Sequence, residues 1–308
     1  MTLALYTHED MFDHQPGAGH IERSDRLRAV VEALGAAADL DLESRDAPLI
    51  ELADLKLVHD GRYVDAIMAA APTSGRRQLD PDTVMSPGSL NAARRAAGAV
   101  TAAVRAVAAG EIERAFCAVR PPGHHAEPGA SMGFCIFSNV AVAAHAAQLA
   151  GFAKVAVVDF DIHHGNGTQA ALEGKSGFFF ASIHQWPLWP GSGHPSSASA
   201  ANVANAVVAP GGSSQAWREA FAGLLRQVAV FGPDLVLISA GFDAHAEDPI
   251  AAPGQQLAAE DFAWATRQIV ALAKTCCGGR VVSSLEGGYD LEALARSALA
   301  HVRALSEG

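Results

Sequence analysis

The stretch from Val155 to Gly165 reads Val155-Ala-Val-Val-Asp-Phe-Asp-Ile-His-His-Gly165. Its first half is a run of apolar, β-branched and aromatic residues, which predicts a buried strand over Val155–Phe160. Its second half places carboxylate and imidazole side chains where that strand ends. In open α/β sheets, ligands bind at the carboxyl ends of the strands. The stretch therefore predicts a central strand with a functional site at its end.

Four other short apolar runs are typical of buried strands, and they are Ala115–Val119, Phe178–Ile183, Leu235–Ser239 and Val281–Leu285. Longer stretches with helical spacing alternate with the strands: Ser89–Ala109, Asn139–Ala150, Gln215–Phe231, Ala259–Lys274 and Leu291–Ala304. This alternation predicts an α/β fold with a mainly parallel sheet that helices cover on both faces. No proline-rich or Gly/Ser-rich linker divides the chain, so we expect a single domain over residues 1–308.

The composition is that of a folded protein. Of the 308 residues, 50% are hydrophobic and 18% are charged, which excludes a disordered chain. No apolar run reaches the roughly 18 residues that a membrane span needs. The N-terminus lacks the basic and apolar regions of a signal peptide. We therefore expect neither a membrane partner nor a secretory leader.

The charged residues and the cysteines indicate which binding partners and which cellular compartment to expect. The formal net charge is −11, and no cluster of Lys and Arg offers a path for a phosphate backbone, so nucleic acid is not an expected partner. The four cysteines form no C-x-x-C pair. This usage is typical of a reducing compartment, and we expect a cytoplasmic protein. The sequence leaves the oligomeric state open, with room for a homo-oligomer.

Polar side chains follow all five predicted strands. The segments concerned are Arg120–His125, Asp159–Gly165, Ser182–His184, Ala240–Asp243 and Glu286–Tyr289. Because parallel strands end at the same edge of a sheet, we expect these segments to meet there. A histidine, an aspartate or a tyrosine after each of the five strands is more than burial statistics would produce, so the pattern favours a functional site.

Asp161 and His163 are two residues apart at a strand end, so their side chains point to the same face. Together they can offer a carboxylate oxygen and an imidazole nitrogen to one metal ion, and Asp243 can supply a third ligand. Three protein ligands with an open position are typical of a catalytic zinc site. This ligand set does not discriminate strongly between Zn²⁺ and Fe²⁺.

Amide hydrolysis beside such a metal needs further groups. A bound zinc lowers the pKa of its water to about 7, and the reaction needs a base for the water and an acid for the leaving nitrogen. The pair His124-His125 can supply both, with Asp159 and Asn166 as candidates to orient the two rings. Tyr289 follows two glycines, and its hydroxyl can donate a hydrogen bond to a developing oxyanion.

Each of these motifs also has an ordinary structural explanation. A lone Asp-x-His or His-His pair is more often structural than catalytic, and two adjacent glycines alone indicate a tight turn. The joint arrangement after five strands is what favours a function.

Four segments resemble the signature blocks of histone deacetylases: Arg120-Pro-Pro-Gly-His-His125, Val158-Asp-Phe-Asp-Ile-His-His-Gly-Asn-Gly-Thr-Gln169, Ser239-Ala-Gly-Phe-Asp-Ala-His-Ala-Glu-Asp-Pro249 and Leu285-Glu-Gly-Gly-Tyr-Asp290. More narrowly, the chain is similar to bacterial histone-deacetylase-like amidohydrolases and to the class II branch. The resemblance implies a three-layer arginase/deacetylase α/β fold with a central, mostly parallel eight-stranded sheet. It also implies a zinc ion held by Asp161, His163 and Asp243.

The resemblance assigns roles to the residues around this zinc. His125 is implied as the general base and then the general acid, and His124, paired with Asp159, as an electrostatic partner. Tyr289 is implied to stabilise the oxyanion. Asn166 stands where other branches carry an aspartate, which is the class II pattern. Its neutral amide is expected to leave His125 less basic than a carboxylate would.

A narrow tunnel to the zinc is also implied. Gly133 and Phe134 match one wall, and Trp189 falls on the opposite wall, where a Phe or Tyr is more usual. Aromatic walls suit an aliphatic amine stem. Arg23 matches an arginine near the inner cavity that helps acetate to leave. A structural monovalent cation, K⁺ or Na⁺, is implied at oxygens of Asp159, Asp161, His163, Ser182 and Ile183.

Three loop residues are candidates for the rim of this tunnel. His14 and His20 lie in the first loop, and Asp82 lies in the segment Asp80-Pro-Asp-Thr83. Asp82 could accept a hydrogen bond from a substrate backbone. Solvation of an exposed loop explains the same residues equally well.

The expected substrate is an acetylated amine similar to acetyl-lysine. Ile250 is apolar where polyamine-selective relatives carry an acidic gate, and the stretch from Gly75 to Ser89 is too short for their dimer-forming insertion. An N-acetylpolyamine amidohydrolase remains the alternative, as does an inactive metal-containing acyl-lysine binding module. A two-manganese arginase-type site would need carboxylates where Gly165 and His245 stand.

Overall fold

The computed structural model describes residues 2–307. Over that range the strands are β1 (Leu3–Thr7), β2 (Leu42–Asp46), β3 (Arg77–Gln78), β4 (Val84–Met85), β5 (Arg114–Cys117), β6 (Val155–Asp159), β7 (Phe178–Gln185), β8 (Val203–Val208), β9 (Leu235–Ala240) and β10 (Val281–Leu285). The helices are α1 (Ser24–Gly35), α2 (Leu52–Leu55), α3 (Gly61–Ala70), α4 (Ser89–Ala108), α5 (Asn139–Leu149), α6 (Asn166–Leu172), α7 (Ser214–Phe231), α8 (Ala259–Cys277) and α9 (Leu291–Ser306). A short 3₁₀ helix covers Glu9–Asp13.

Eight of the strands form one sheet, in the order β2-β1-β5-β10-β9-β6-β7-β8. Every neighbouring pair in this sheet is parallel. The predicted α/β class with a central eight-stranded sheet is therefore confirmed, and the sheet is wholly rather than mostly parallel. β3 and β4 form a separate antiparallel pair.

Burial along the full strand marks the centre of the sheet. Strands β5, β6, β7, β9 and β10 are buried at every residue, as expected for parallel strands covered on both faces. These are the five strands that the sequence predicts, with small shifts at their ends. The edge strand β2, in contrast, reads Leu-Glu-Ser-Arg-Asp and has no buried residue. Charged residues of this kind protect a sheet edge from further pairing.

The helices pack in two sets with the sheet between them. One set contains α4, α5 and α6, and in the other α1, α9, α8 and α7 contact each other in that order. The five helices that the sequence predicts are α4, α5, α7, α8 and α9. Within residues 2–307, no helix combines the length and the apolar character that a membrane crossing requires.

The start of α9 fixes the turn that carries Tyr289. Asp290 caps this helix by accepting a hydrogen bond from the Ala293 N–H at 2.9 Å, which is a common role for aspartate. Gly288, just before the tyrosine, has a φ of 120°, a value that favours glycine. Local chain chemistry thus places the tyrosine at the carboxyl end of β10.

Candidate metal centre and active site

The five central strands end at one edge of the sheet, because β5, β10, β9, β6 and β7 are consecutive and parallel. The segments that follow them converge there, as expected from strand ends. The predicted site residues that the structure brings together are His124, His125, Asp159, Asp161, His163, Asn166, Asp243 and Tyr289.

The candidate metal centre is the buried group Asp161, His163 and Asp243, called here the metal cluster. One donor atom from each residue lies within 4.8 Å of the others. The Nδ1 atom of His163 is 3.0 Å from Asp161 Oδ1 and 3.1 Å from Asp243 Oδ2. Ligands at about 2.0–2.2 Å from a zinc ion stand about 3 Å or slightly more apart. The three donors therefore have the spacing of a coordination shell.

Backbone groups orient the two carboxylates of the metal cluster. Asp161 accepts hydrogen bonds from the N–H groups of His163 and Gly287, each at 2.9 Å. Asp243 accepts one from the Ile162 N–H at 2.9 Å. A Cβ on Gly287 would lie 2.6 Å from Asp161 Oδ2. The glycine therefore lets the main chain pass this close to the carboxylate.

The charge balance of the metal cluster also fits a cation. Burial, followed by the negative charge of Asp161, raises the pKa of Asp243 to about 7. Such a shift is the mark of two carboxylates that share one low-dielectric space. Burial lowers the pKa of His163, but its hydrogen bonds with Asp161 and Asp243 outweigh this effect and raise the pKa to about 10. A divalent cation would replace the His163 proton and supply positive charge to both carboxylates. The donor set and the charge therefore both fit a metal ion such as zinc.

The two neighbouring histidines have different partners. Their ring centroids are 3.9 Å apart. The Nδ1 atom of His124 is 2.9 Å from Asp159 Oδ2, and the Nδ1 atom of His125 is 2.8 Å from Asn166 Oδ1. The structure thus joins each ring to the orienting residue that the sequence indicates.

The surroundings of the two histidines separate their protonation states. Burial lowers the pKa of His124, but Asp161 and Asp159 outweigh this effect and raise the pKa to about 10. Burial also lowers the pKa of His125, and the positive charges of His124 and His163 lower it further, well below its usual range. Near neutral pH the pair therefore consists of a protonated His124 and a neutral His125. A neutral imidazole can take a proton from a reacting group.

Tyr289 keeps its hydroxyl proton. Burial raises the pKa of this phenol well above its usual range, so the hydroxyl is a hydrogen-bond donor at neutral pH. Its ring lies edge-on to Phe134, with the centroids 5.9 Å apart. Its backbone N–H donates to Asp248 Oδ2 at 2.6 Å. These contacts hold a donor of the kind that oxyanion stabilisation requires.

A cavity of about 220 Å³ leads to the histidines and to the tyrosine. The residues expected in its walls all line it, and they are Gly133, Phe134, Trp189 and Ile250. Trp189 stands edge-on to His125, with the ring centroids 4.7 Å apart, and 43% of the tryptophan is exposed. Trp189 therefore reaches from solvent to the candidate base.

Gly133 and Phe134 form a strained turn beside this cavity. Their φ angles are 58° and 68°, and Phe134 is the one non-glycine residue with a positive φ among residues 2–307. Their N–H groups donate to Asp82 Oδ1 and Thr83 Oγ1, both at 3.0 Å. A Cβ on Gly133 would lie 2.7 Å from Trp189 Cη2. Strain of this kind is often found where a side chain is held for function.

The three rim candidates separate in the structure. Asp82 lines the cavity, and His20 lies next to it, with Nε2 at 3.2 Å from the Asp82 carbonyl. His14, in contrast, is buried, with Nδ1 at 2.6 Å from Ser89 Oγ and Nε2 at 3.3 Å from a Glu22 carboxylate oxygen. The rim placement of His14 is therefore wrong, because this ring packs inside the fold.

The expected place of Arg23 near the inner cavity is also wrong. Arg23 precedes the first turn of α1, its side chain is 52% exposed, and its Nη1 atom is 3.4 Å from Asp25 Oδ2. Arg26, almost one turn further on, is buried instead. Its guanidinium carbon lies 4.8 Å from the centroid of the Tyr289 ring, and its Nε–H donates to the Gly288 carbonyl. Helical periodicity was the available signal, because Arg26 shares the inner face of α1 with buried leucine and valine residues.

The residues expected around a monovalent cation are neighbours across two strands. Asp159 on β6 is in register with Ser182 on β7, and Ile183 follows it in the buried core. The Asp159 Oδ1 atom accepts a hydrogen bond from the Asp161 N–H at 3.1 Å. The hydroxyl of Ser182 is 3.0 Å from His184 Nδ1. Oxygen atoms are therefore concentrated beside the metal cluster.

The fold and the site together define a class, the arginase/deacetylase type of three-layer α/β protein, with an Asp/His/Asp cluster and a histidine pair at the carboxyl edge of a parallel sheet. A model of the histone deacetylase domain matches residues 20–305. The chain therefore belongs to the histone deacetylase family.

Similar proteins come from bacteria, archaea and eukaryotes. The histone deacetylase-like amidohydrolase of Pseudomonas aeruginosa is 37% identical over 286 residues, which cover 88% of this chain and 73% of that protein. The probable deacetylase of Archaeoglobus fulgidus is 34% identical over 95% of this chain and 82% of its own length. The type-2 histone deacetylase 2 of Dictyostelium discoideum is 32% identical over 99% of this chain, which spans only 21% of that protein. The crystal structure of the HDA15 HD domain matches with a TM-score of 0.91 at 33% identity, over 99% of this chain and 91% of that one.

Proposed function

We propose that this protein is a metal-dependent amidohydrolase that hydrolyses the N-acetyl group of acetyl-lysine-like amines and releases acetate and the free amine. One observation carries the proposal: His125, whose pKa is held well below its usual range, lines a narrow cavity together with His163 of the metal cluster and with Tyr289. The names of the bacterial and archaeal relatives, an amidohydrolase and a probable deacetylase, support the same reaction class.

Asp161, His163 and Asp243 would hold a Zn²⁺ ion, with Fe²⁺ as the alternative for the same donors. A bound zinc supplies a Lewis acid and a water of lowered pKa. Everything else in the reaction falls to side chains of this chain. We also propose K⁺ or Na⁺ at the oxygens beside Asp159 and Ser182, as a structural ion.

His125 carries the proton transfers. Its Nδ1 atom is engaged by Asn166, so Nε2 is the atom that takes a proton from the attacking water. The water oxygen adds to the acetyl carbon, and the same Nε2 then donates its proton to the leaving nitrogen as the carbon–nitrogen bond breaks. Acetate and a free amine result. The hydroxyl of Tyr289 donates a hydrogen bond to the acetyl oxygen, and this bond strengthens as negative charge develops there.

His124 acts through its charge. The Asp159 contact and the Asp161 charge keep it protonated near neutral pH. A fixed positive charge beside His125 keeps that ring neutral until it takes the proton from water. His124 also offsets the carboxylates around it. It therefore serves as an electrostatic partner, with His125 as the base.

The cavity favours a substrate with an apolar stem. Phe134, Trp189 and Ile250 line it, and such walls bury the methylene groups of a lysine-like chain while its acetylated end reaches His125. A polyamine would bring a second positive charge to this lining, where position 250 carries no acidic side chain and, among residues 2–307, Asp82 is the one carboxylate. The apolar residue at position 250 therefore favours an acetyl-lysine-like amine over an N-acetylpolyamine.

The test is a comparison of substrates on the purified, zinc-loaded protein. Acetate release is measured from an acetyl-lysine peptide, from N-acetylputrescine and from N-acetylspermidine, each with and without a hydroxamate chelator. We expect chelator-sensitive turnover that favours the peptide. Preference for the polyamines would keep the reaction and overturn the substrate. No turnover of any of the three by the zinc-bound protein would contradict the proposal and favour an acyl-lysine binding module.

A further inference from the structure

Asn166 lies between two different partners. Its Oδ1 atom is 2.8 Å from His125 Nδ1, and its Nδ2 atom is 2.8 Å from Glu127 Oε1. The sulfur of Met132 lies 3.1 Å from the same Nδ2 atom. The amide thus connects His125 to a carboxylate that is not part of the substrate cavity.

These partners decide which way the amide points. An ionised carboxylate accepts hydrogen bonds and donates none, and a thioether sulfur is a weak acceptor. Glu127 and Met132 therefore both require the NH₂ end of Asn166. The reverse orientation would bring the amide oxygen against two acceptors. Glu127 thus fixes the carbonyl end of Asn166 towards His125.

The orientation of the amide in turn decides the tautomer of His125. A carbonyl oxygen only accepts, so the proton of the neutral ring must lie on Nδ1, and Nε2 keeps its lone pair. A reversed amide would donate to Nδ1 and move the ring proton to Nε2. A ring in that form has no lone pair on the side of the reaction.

We infer that Glu127 is a positioning residue that sets the tautomer of His125 through Asn166. The consequence for catalysis rests on the proposed function, whereas the tautomer can be measured without it. An aspartate at position 166 would need no such help, because both of its oxygens accept hydrogen bonds. Glu127 is therefore matched to an asparagine at that position.

The placement of Glu127 suits this role. Its main chain is held by hydrogen bonds with Ala130, from the Glu127 N–H at 2.9 Å and to the Glu127 carbonyl at 3.4 Å. The Nδ1 atom of His59 is 3.1 Å from the same carbonyl. The half-buried carboxylate faces a second cavity of about 330 Å³, which Glu173 also lines. Water in this cavity can solvate the part of the carboxylate that does not contact Asn166.

The experiment compares substitutions of Glu127 in two backgrounds. In the native background, Glu127→Gln permits both orientations of the Asn166 amide, and Glu127→Lys, a donor only, requires the reversed one. We expect kcat to fall with Gln and to fall further with Lys, by about 10–100-fold, with little change in KM. In an Asn166→Asp background, Glu127→Gln should leave kcat unchanged or raise it, because the gain of a donor then suits the new carboxylate.

Glu173→Gln is the matched control. Glu173 lines the same second cavity but accepts hydrogen bonds from Gln169 at 3.0 Å and from the Ala200 N–H at 2.7 Å, not from Asn166. We expect this variant to keep the native kcat. Circular dichroism and zinc content show which variants have kept the fold and the metal.

The second measurement is the tautomer itself. In zinc-loaded protein with ¹⁵N-labelled histidine, the His125 signals are assigned by their loss in His125→Gln. We expect Nδ1 to be protonated in the native protein, the proton to shift towards Nε2 in Glu127→Lys, and the Nδ1 form to return in Asn166→Asp/Glu127→Gln. A tautomer that stays the same in Glu127→Lys would overturn the inference, as would an equal loss of kcat from Glu127→Gln in both backgrounds. If the tautomer shifts but no acetylated substrate is turned over, the positioning role stands and the proposed function fails.

Discussion

The protein buries two groups of charged side chains that balance their charges differently. One is the metal cluster, and the other, called here the arginine cluster, is Glu22, Arg26 and Arg120. In the arginine cluster, Arg26 and Arg120 donate to one Glu22 oxygen at 3.1 Å and 2.6 Å. Their other N–H groups donate to backbone carbonyls, such as the Arg120 contact with Met11 at 2.9 Å. The metal cluster has two carboxylates for one imidazole.

The two clusters differ in whether neighbouring side chains balance the charge of their carboxylates. Burial raises the pKa of Glu22, but Arg120 and His14 outweigh this effect and hold it well below its usual range. The pKa of Asp243 moves the other way, to about 7. A buried group that is compensated by its neighbours holds a fold together, whereas an uncompensated one points to a bound partner. The contrast assigns the arginine cluster to stability and the metal cluster to function.

The largest expected effect comes from removing the base beside the metal cluster. His125→Ala should lower kcat for an acetyl-lysine peptide by about 10²–10⁴-fold, with zinc content and thermal unfolding close to native. Arg23→Ala is the control, because Arg23 is exposed and is not among the residues that line the cavity. A folded, zinc-bound His125→Ala protein with most of its activity would remove the role given to His125.

Neutralising one carboxylate in each cluster tests the contrast directly. Glu22→Gln leaves Arg26 and Arg120 buried without a counter-charge, and we expect a loss of about 3–5 kcal/mol in the free energy of unfolding. Asp243→Asn removes one of two like charges, so the metal-free protein should lose no stability. Urea unfolding in the presence of a chelator measures both. Similar losses in the two variants would show that the clusters do not differ in this way.

The oxyanion role of Tyr289 predicts a smaller effect on the rate. Tyr289→Phe keeps the ring contacts with Phe134 and Arg26 and removes only the hydroxyl. We expect kcat to fall by about 10²–10³-fold, with little change in KM, because the lost hydrogen bond strengthens in the transition state. Steady-state kinetics decide this, and an unchanged kcat would argue against the role.

The smallest expected effect concerns the pH dependence of the free energy of unfolding, to which the buried His301 contributes. Burial lowers the pKa of His301 to about 3. The hydroxyls of Thr266 and Ser283 lie 2.6 Å and 2.8 Å from its two ring nitrogens. The pKa of His301 in the folded protein therefore lies below its unfolded value of about 6.5. The contribution of neutral His301 to the free energy of unfolding is present above pH 6.5 and is lost as the pH falls towards 3. Between pH 7 and pH 5, native protein should lose about 2 kcal/mol more than His301→Asn. Equal losses in urea unfolding would contradict this contribution.

Much of the fold could be predicted because the central strands are buried on both faces. Such strands appear in the sequence as continuous apolar runs, and these runs predict all five. The edge strand β2 has exposed Glu and Ser residues and carries no such signal. β8, at the other edge, has two buried residues, Ala204 and Val208, and its other positions are half-buried. These two segments are strands because they pair with β1 and β7. A local sequence pattern does not predict pairing between segments that lie far apart in the chain.

The site residues divide in the same way. Asp161, His163 and Asp243 follow predicted strands, so the topology alone brings them together. Arg23 lies at the start of α1 and His14 lies in a loop, and at both positions burial depends on packing against distant segments. The burial of Arg26 follows from helical periodicity, because Arg26 lies one turn before the buried Val30. The contact of Glu127 with Asn166 needed side-chain positions that no spacing rule supplies.

A metal titration tests the central claim most directly. Metal-free protein is titrated with Zn²⁺ while acetate release from an acetyl-lysine peptide is followed, and the bound metal per chain is measured in parallel. We expect negligible activity without metal and a linear rise that ends at one zinc per chain. Activity that is independent of metal, or a break at two metals per chain, would contradict the three-ligand centre formed by Asp161, His163 and Asp243.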